Sequence, residues 1–307
     1  MGTQVLKQRI PKNIGNNIYP YILITPFFII SILFLFIPIV LSVYYSVLDI
    51  NFLNISNSTF VGLENFKSIF SNEEYWQSIA NIINLLIIII PVTTIISFSL
   101  ALLAKDNRKS SMAMRTIFYL PYILTPVAIA SVMSILFGKD GFLTLMSSSI
   151  LGTSNIAWNT SVDYATWLII FTIIWVQVGF YMILYITAMN NIPKELYEAA
   201  EIDGAGKLKQ LLYVTIPQVK NTTFMVVFMI FITTVQQFDI PFIISTIGNA
   251  SPGSPEGTTL TPVMYIYDQA LNKNNTGMAS AATVILVLFM IVIAIVQFKV
   301  SGGKDEE

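Results

Sequence analysis

The chain has 307 residues, 55% hydrophobic and only 11% charged, with a net charge of -1 and a mean hydropathy of +0.71. Roughly a quarter of the residues in a soluble domain are charged, so this composition excludes an ordinary soluble protein and points to an all-α polytopic membrane protein. The near-neutral charge speaks against a nucleic-acid partner. The absence of Cys and His removes thiol chemistry, thiolate or imidazole metal sites and the usual general base, so any chemistry would have to come from carboxylates, Lys, Tyr or Ser.

Residues 1–20 form a polar lead with Lys7, Arg9 and Lys12. Six charge-free apolar runs follow, near Tyr21 to Val47, Ile79 to Ala104, Thr116 to Phe137, Tyr164 to Met189, Thr222 to Phe238 with an extension to Ile247, and Gly277 to Phe298. Each approaches or exceeds the ~20 residues a helix needs to cross a bilayer. The first is too long for a signal-peptide core and is expected to remain as a span. Pro91, Pro121 and Pro126 are expected inside spans, where neighbouring helices satisfy the freed carbonyls. The loop at 48–78 predicts a short amphipathic piece and an aromatic entry into span two, with Tyr75 and Trp76 in an interfacial belt. Sequons at Asn54 and Asn57 are of a kind that arises by chance. Gly and Pro between Gly248 and Thr276 predict an irregular, exposed loop. The chain divides into a cytoplasmic lead (1–20), a transmembrane unit (21–299) and a cytoplasmic tail (300–307).

Basic residues set the orientation. With the N-terminus inside, the inner segments hold Lys7, Arg9, Lys12, Lys105, Arg108, Lys109, Arg115, Lys194, Lys207, Lys209, Lys220, Lys299 and Lys304, against Lys67, Lys139 and Lys273 outside. Thirteen against three is a strong positive-inside bias. Both termini and the polar loop at 190–221 are therefore expected on the cytoplasmic side of a multi-pass protein.

That loop, Asn191 to Gln218, is the most heavily charged interruption of the second half. Asn190 or Asn191 is a candidate helix cap, Pro193 suits a first helical turn, and Glu195 and Glu198 suit the positive end of the helix dipole. Gly204 and Gly206 supply permissive backbone for a turn. A short helix, a sharp turn and a second helix leading to Pro217 are predicted, with a flat small-residue surface at Ala199 and Ala200 that another protein could approach closely. The GAGK at Gly204 to Lys207 is not a phosphate loop, since Glu201 stands where its first Gly belongs and Leu208 where Ser or Thr belongs.

Only Asp49, Asp163 and Asp239 come near the spans, each at an outer end. Carriers driven by protons keep ionisable residues at membrane depth, so built-in proton coupling is disfavoured. The spans carry neutral polarity beside aromatics instead: Trp175, Gln177, Phe180 and Tyr181 in span four; Thr233, Thr234, Gln236 and Gln237 in span five; and Tyr122 in span three. Amides and hydroxyls pair with the OH groups of a sugar, and aromatic faces lie against its C–H faces. The same residues also bond helix to helix. Gln177 and Gln237 stand out because a buried amide has many bonding positions to satisfy. Asn81, Asn84, Gly179 and the small cluster Gly277, Ala279, Ser280, Ala281 and Ala282 read as helix-packing residues.

The run Glu198, Ala199, Ala200, Gly204 and Val214 to Pro217 resembles the EAA loop of ABC-importer permeases. FVGLENF at Phe60, RTIFYLPYILTP at Arg115, IPKELYEAAEIDGAG at Ile192 and GMASAATVIL at Gly277 resemble the carbohydrate-uptake branch, its maltose- and multiple-sugar-type permeases. The resemblance covers nearly the whole chain. It implies the type I importer permease fold, with six transmembrane helices and a cytoplasmic coupling helix from about Pro193 to Asp203. It also implies a second homologous permease subunit, two ATPase subunits that bind ATP and Mg, and an extracellular sugar-binding protein, in the inner membrane of a prokaryote. No cofactor is implied in this chain. The ATPase-coupling residues implied are Glu195, Glu198, Ala199, Ala200, Asp203 and Gly204. The sugar contacts implied are Tyr122 and Pro126, Val176, Gln177 and Phe180, and Thr233, Thr234 and Gln237. Pro126 offers no side-chain hydrogen bond, and the threonines replace larger groups of the maltose type. A permease for another polar solute, such as glycerol phosphate or a peptide, and an ion-coupled secondary carrier are the alternatives.

Overall fold

The computed structural model describes residues 19–50, 58–106, 108–151 and 156–302; the polar lead before Tyr19, both sequons and the last five residues lie outside the described residues. Four helices are long and apolar enough to cross a membrane: Tyr21–Tyr45, Glu73–Ala104, Ala165–Asn190 and Thr276–Lys299. Two bent pairs, Lys109–Ile123 with Pro126–Leu136 and Lys207–Gln218 with Lys220–Val235, raise the number to six when each pair counts as one span. The all-α class and the six apolar segments agree with the sequence, and the protein is a multi-pass membrane protein.

Span four (Ala165–Asn190) is the axis of the bundle. Two thirds of its most apolar window (67%) is buried, against 28% for span two, 22% for span six and none for span one. In a bilayer the tails are as apolar as the side chains, so helices associate by close packing rather than by escaping water. Gly179 shows this directly: a Cβ there would fall on the carbonyl of Phe118 in span three. Spans three and four thus touch backbone to backbone. A buried hydrogen bond from Ser97 Oγ to the Val178 carbonyl (3.1 Å) joins span two to the same stretch. Gly277 plays a similar part in span six, where a Cβ would meet the Leu48 carbonyl, while Ala281 and Ala282 beyond it are fully buried.

The third span differs from the sequence expectation. It is not one helix through Pro126 but two halves meeting at 99°. Leu124 and Thr125 are extended, with ψ of 152° and 136°, and extended backbone is what proline imposes on the residue before it. Pro126 then opens the second half, capped by the Thr125 hydroxyl. Pro91 and Pro121 do lie inside continuous helix. Span five also breaks: its helix ends at Val235, and the expected extension is a separate helix, Asp239–Ser245.

The side of the bundle expected to face outward is more ordered than its Gly and Pro content predicts. Strands Leu48–Asp49 and Thr59–Phe60 pair antiparallel, followed by the short helix Glu64–Phe70. Span two begins at Glu73, capped by the Asn72 side chain, which accepts from Tyr75 N at 3.0 Å. Tyr75 is not an interfacial ring; it is buried edge-on against Tyr265, centroids 5.4 Å apart, whereas Trp76 is exposed as expected. The segment expected to be irregular contains the helix Pro262–Tyr267 and a π turn to Asn272, with Met264 and Tyr265 buried. Asn81 fastens this segment to span two by donating to the carbonyls of Gly257 (2.7 Å) and Leu260 (3.0 Å), whereas Asn84 is exposed. Lys273 bridges Glu74 (2.8 Å) and Asp268 (3.1 Å). Burial opposes its charge, but the two carboxylates outweigh that and raise its pKa above the ordinary lysine value.

Candidate functional site

Two sets of predicted residues come together in two separate places. The first lies where spans three, four and five meet. Gln177 and Phe180 are one helical turn apart on span four and share a face. Tyr122, near the end of the first half of span three, stacks on Phe180 with centroids 4.6 Å apart and planes within 12°. Tyr122 is 41% exposed, so the aromatic pair is open on one side. Tyr181, packed edge-on against Phe180 at 5.3 Å, lies close to both Thr233 and Tyr122.

Gln177 is 6% exposed, and its amide nitrogen donates to Thr233 Oγ1 at 3.4 Å. The Thr233 hydroxyl spends its own proton on the carbonyl of Met229 (2.9 Å) or Ile230 (3.1 Å). Its oxygen is left to accept, which turns the NH2 end of the amide toward it. The other end, Gln177 Oε1, is buried without a partner, and so is Thr234 Oγ1. Buried polar atoms are normally paired, and leaving one unmet costs about 1–3 kcal/mol. Satisfying the Gln177 acceptor takes a hydroxyl or N–H donor that the described residues do not supply in this arrangement.

Not every predicted contact joins this group. Val176 is buried on the neighbouring face of span four, and Pro126 is exposed beyond the bend. Gln237 lies past the end of the span-five helix, where its backbone carbonyl accepts from Thr261 Oγ1 at 3.0 Å; its side chain is half-buried. Asp49, Asp163 and Asp239 are exposed at span ends, as expected. Tyr181 stands out in the sequence only as one of the polar and aromatic residues of span four, and is not among the implied sugar contacts. Its place beside Thr233 depends on how spans four and five are set against each other.

The second place is the loop between spans four and five. Its helix runs Lys194–Ile202 with Pro193 as N-cap. Asn190 and Asn191 do not cap it. Asn190 ends span four and Asn191 is that span's C-cap, because Pro193 needs an extended approach. The helix closes in a Schellman motif: Gly204 (φ +75°) donates to Glu201 O at 3.0 Å and Ala205 to Ala200 O at 2.8 Å. Gly204 needs glycine for that φ; Gly206, at φ -65°, does not. After the turn, the chain runs through Lys207–Gln210, a π turn at Leu211–Thr215 and Ile216–Gln218 into span five. The Tyr197 hydroxyl and the buried Thr215 hydroxyl hydrogen-bond at 3.0 Å, pinning the helix to the π turn.

Glu195, Glu198, Ala199, Asp203 and Gly204 are exposed and Ala200 is half-buried. Leu196 and Ile202 are also exposed, at 39% and 86%. The helix therefore presents carboxylates, small residues and two aliphatic side chains on one short, uncovered element.

The chain resembles known transport proteins over nearly its whole length. It is 30% identical to a probable ABC transporter permease protein, YurN, of Bacillus subtilis (strain 168), covering 95% of this chain and 99% of that protein. It is 26% identical to a probable starch degradation products transport system permease protein, AmyD, of Thermoanaerobacterium thermosulfurigenes, covering 96% and 98%. Its fold matches a crystal structure of a bacterial ABC transporter involved in the import of the acidic polysaccharide alginate, with a TM-score of 0.80 at 21% identity over 94% and 96% of the two chains. Residues 93–301, from mid span two through the end of span six, match the family described as binding-protein-dependent transport system inner membrane component, and the chain belongs to that family.

Proposed function

We propose that this chain is the membrane-spanning permease subunit of an ABC importer that moves a neutral sugar or oligosaccharide inward by alternating access. The observation that carries the reading is the site between spans three, four and five. There a stacked aromatic pair adjoins a buried amide with a free acceptor, and among the residues named there none is charged. An anionic substrate would be matched by Arg or Lys; a neutral polyol is matched by amides, hydroxyls and aromatic faces. The family membership supports a role in transport, and the likeness to a permease for starch degradation products supports carbohydrate as the cargo.

The remaining roles follow from this reading. ATP and Mg are bound and ATP is hydrolysed on two partner ATPase subunits, and a binding protein delivers the sugar from outside. A second permease subunit closes the open side of the Tyr122–Phe180 pair and covers span one, no part of which is buried here. Both termini and the Lys194–Ile202 helix face the cytoplasm, where the helix seats in the ATPase through Glu195, Glu198, Ala199, Ala200, Asp203 and Gly204.

Glu198→Lys tests the docking role. The expected result is an assembled complex that still hydrolyses ATP but takes up sugar about tenfold or more slowly, the scale of a lost interfacial charge pair; uptake at the normal rate would sink the assignment. The substrate class is tested on the reconstituted complex by ligand-stimulated ATP hydrolysis. Neutral oligosaccharides are expected to stimulate and uronate oligosaccharides not to; stimulation by the uronates alone would refute the neutral-sugar reading.

A further inference from the structure

A cleft of about 600 Å3 lies where the end of span two, the end of span four and the docking loop meet. Three lysines line it, each from a different element. Lys105 follows the last residue of span two, Lys194 opens the docking helix, and Lys207 opens the segment after the Gly204 turn. Among the described residues none of the three makes an ion pair. The one carboxylate in the lining, Asp106, is paired with Arg108 at 3.7 Å. The arrangement is held in place. Arg115 donates to the carbonyls of Ala104 (2.9 Å), Lys105 (3.0 Å) and Asp106 (3.2 Å), fixing the turn that carries Lys105. Tyr197, bonded to Thr215, fixes the helix that carries Lys194. An apolar part of the lining comes from Leu102 and Met189 of the spans themselves, beside polar Asn190, Gln210 and Thr215, and Leu103, next to Leu102, is 69% exposed along span two.

We propose that this cleft holds the phosphate headgroup of an anionic phospholipid of the cytoplasmic leaflet, its acyl chains running along span two. The proposal rests on the cytoplasmic placement of the docking loop given above. Three ammonium groups lining one cleft without a carboxylate partner offer an anion a shared site, and basic pockets at the cytoplasmic ends of transmembrane helices suit lipid phosphates. The apolar part of the lining, continuous with the span, favours a lipid over a free phosphate ester, which has no use for Leu102 or Leu103. A phosphate seated among the three lysines would tie the docking helix to span two.

The test uses the purified transporter complex in phosphatidylcholine vesicles with and without phosphatidylglycerol, reading the lipid that remains bound after extraction by native mass spectrometry. The variant Lys105→Gln/Lys194→Gln/Lys207→Gln is expected to retain phosphatidylglycerol about a hundredfold less than the unaltered complex. A control, Lys67→Gln/Lys139→Gln, is expected to retain it normally. Equal retention by the triple variant, or equal loss in the control, overturns the site. Displacement of the lipid by inorganic phosphate or glycerol phosphate would assign the cleft to a soluble ester instead, and retention only when the ATPase is stripped away would assign it to an acidic side chain of that partner; either result overturns the lipid. Thermal unfolding of the triple variant separates a lost site from a lost fold. The readout needs neither transport nor ATP hydrolysis, so a failure of the importer reading leaves it measurable. Labelling of a single Cys at Lys207 in sealed vesicles shows separately whether the loop is on the cytoplasmic side.

Discussion

Gln177 separates two roles that an amide inside a membrane protein can play. If it only bonded helix to helix, both ends of the amide would be used; in the structure one end reaches Thr233 and the other reaches nothing. Replacing it with Leu removes an unpaired buried acceptor, so folding stability should stay the same or rise. Uptake should weaken by about tenfold, the value of one or two lost hydrogen bonds to a ligand. Thermal unfolding and initial uptake rates of Gln177→Leu check both halves; parallel loss of the two would return the residue to helix packing. Gly179 makes the opposite case. Gly179→Val should leave the chemistry of the site intact but force spans three and four apart, destabilising by about 1–3 kcal/mol or more, read as a fall in Tm. The polar residues of the site are legible in the sequence because uncharged amides and hydroxyls are conspicuous in greasy runs. The partnering of Thr233, the orphaned Oε1 and the place of Tyr181 are not, because each depends on distances between spans.

The loop between spans four and five is the element read best from sequence. Its helix bounds and its turn at Gly204 follow from local rules: proline near the start, acidic residues early, glycine at the left-handed C′ position. Gly204→Ala should cost about 1–2 kcal/mol at the turn and reduce coupling between ATP hydrolysis and uptake, whereas Gly206→Ala, in ordinary extended backbone, should do neither. Paired measurements of the two variants check the contrast. Span three is read worst. Its charge-free run is as long as a span, and the apolar pattern is silent about a bend; only Thr125-Pro126, an N-cap followed by an N1 proline, carries the signal of a new helix start inside it. The segment at 262–272 is obscured differently. The Gly- and Pro-rich turns before it, with glycine at positive φ at 248, 253 and 257, mask a short helix that is held by burial of Met264 and Tyr265 rather than by propensity.

Across the whole molecule, composition alone is enough to place the chain in a membrane, and basic-residue asymmetry predicts which way it faces. The absence of Cys makes that orientation easy to measure. A single Cys at Lys139, in an exposed loop beyond span three, should react with an impermeant maleimide from outside intact cells, and one at Lys209, in the docking loop, only after the membrane is opened. The reverse pattern would invert the topology. The contact at Gly179 bears on how such a machine moves. The backbone contact at Gly179 and the Tyr122–Phe180 stack hold Tyr122, Gln177 and Phe180, on spans three and four, together as one wall of the site. Thr233 stands on the facing wall, in the span that continues directly from the docking loop through the 64° bend at Val219. The 3.4 Å hydrogen bond from Gln177 to Thr233 is the polar tie between the two walls, so any displacement of span five relative to span four has to change that bond.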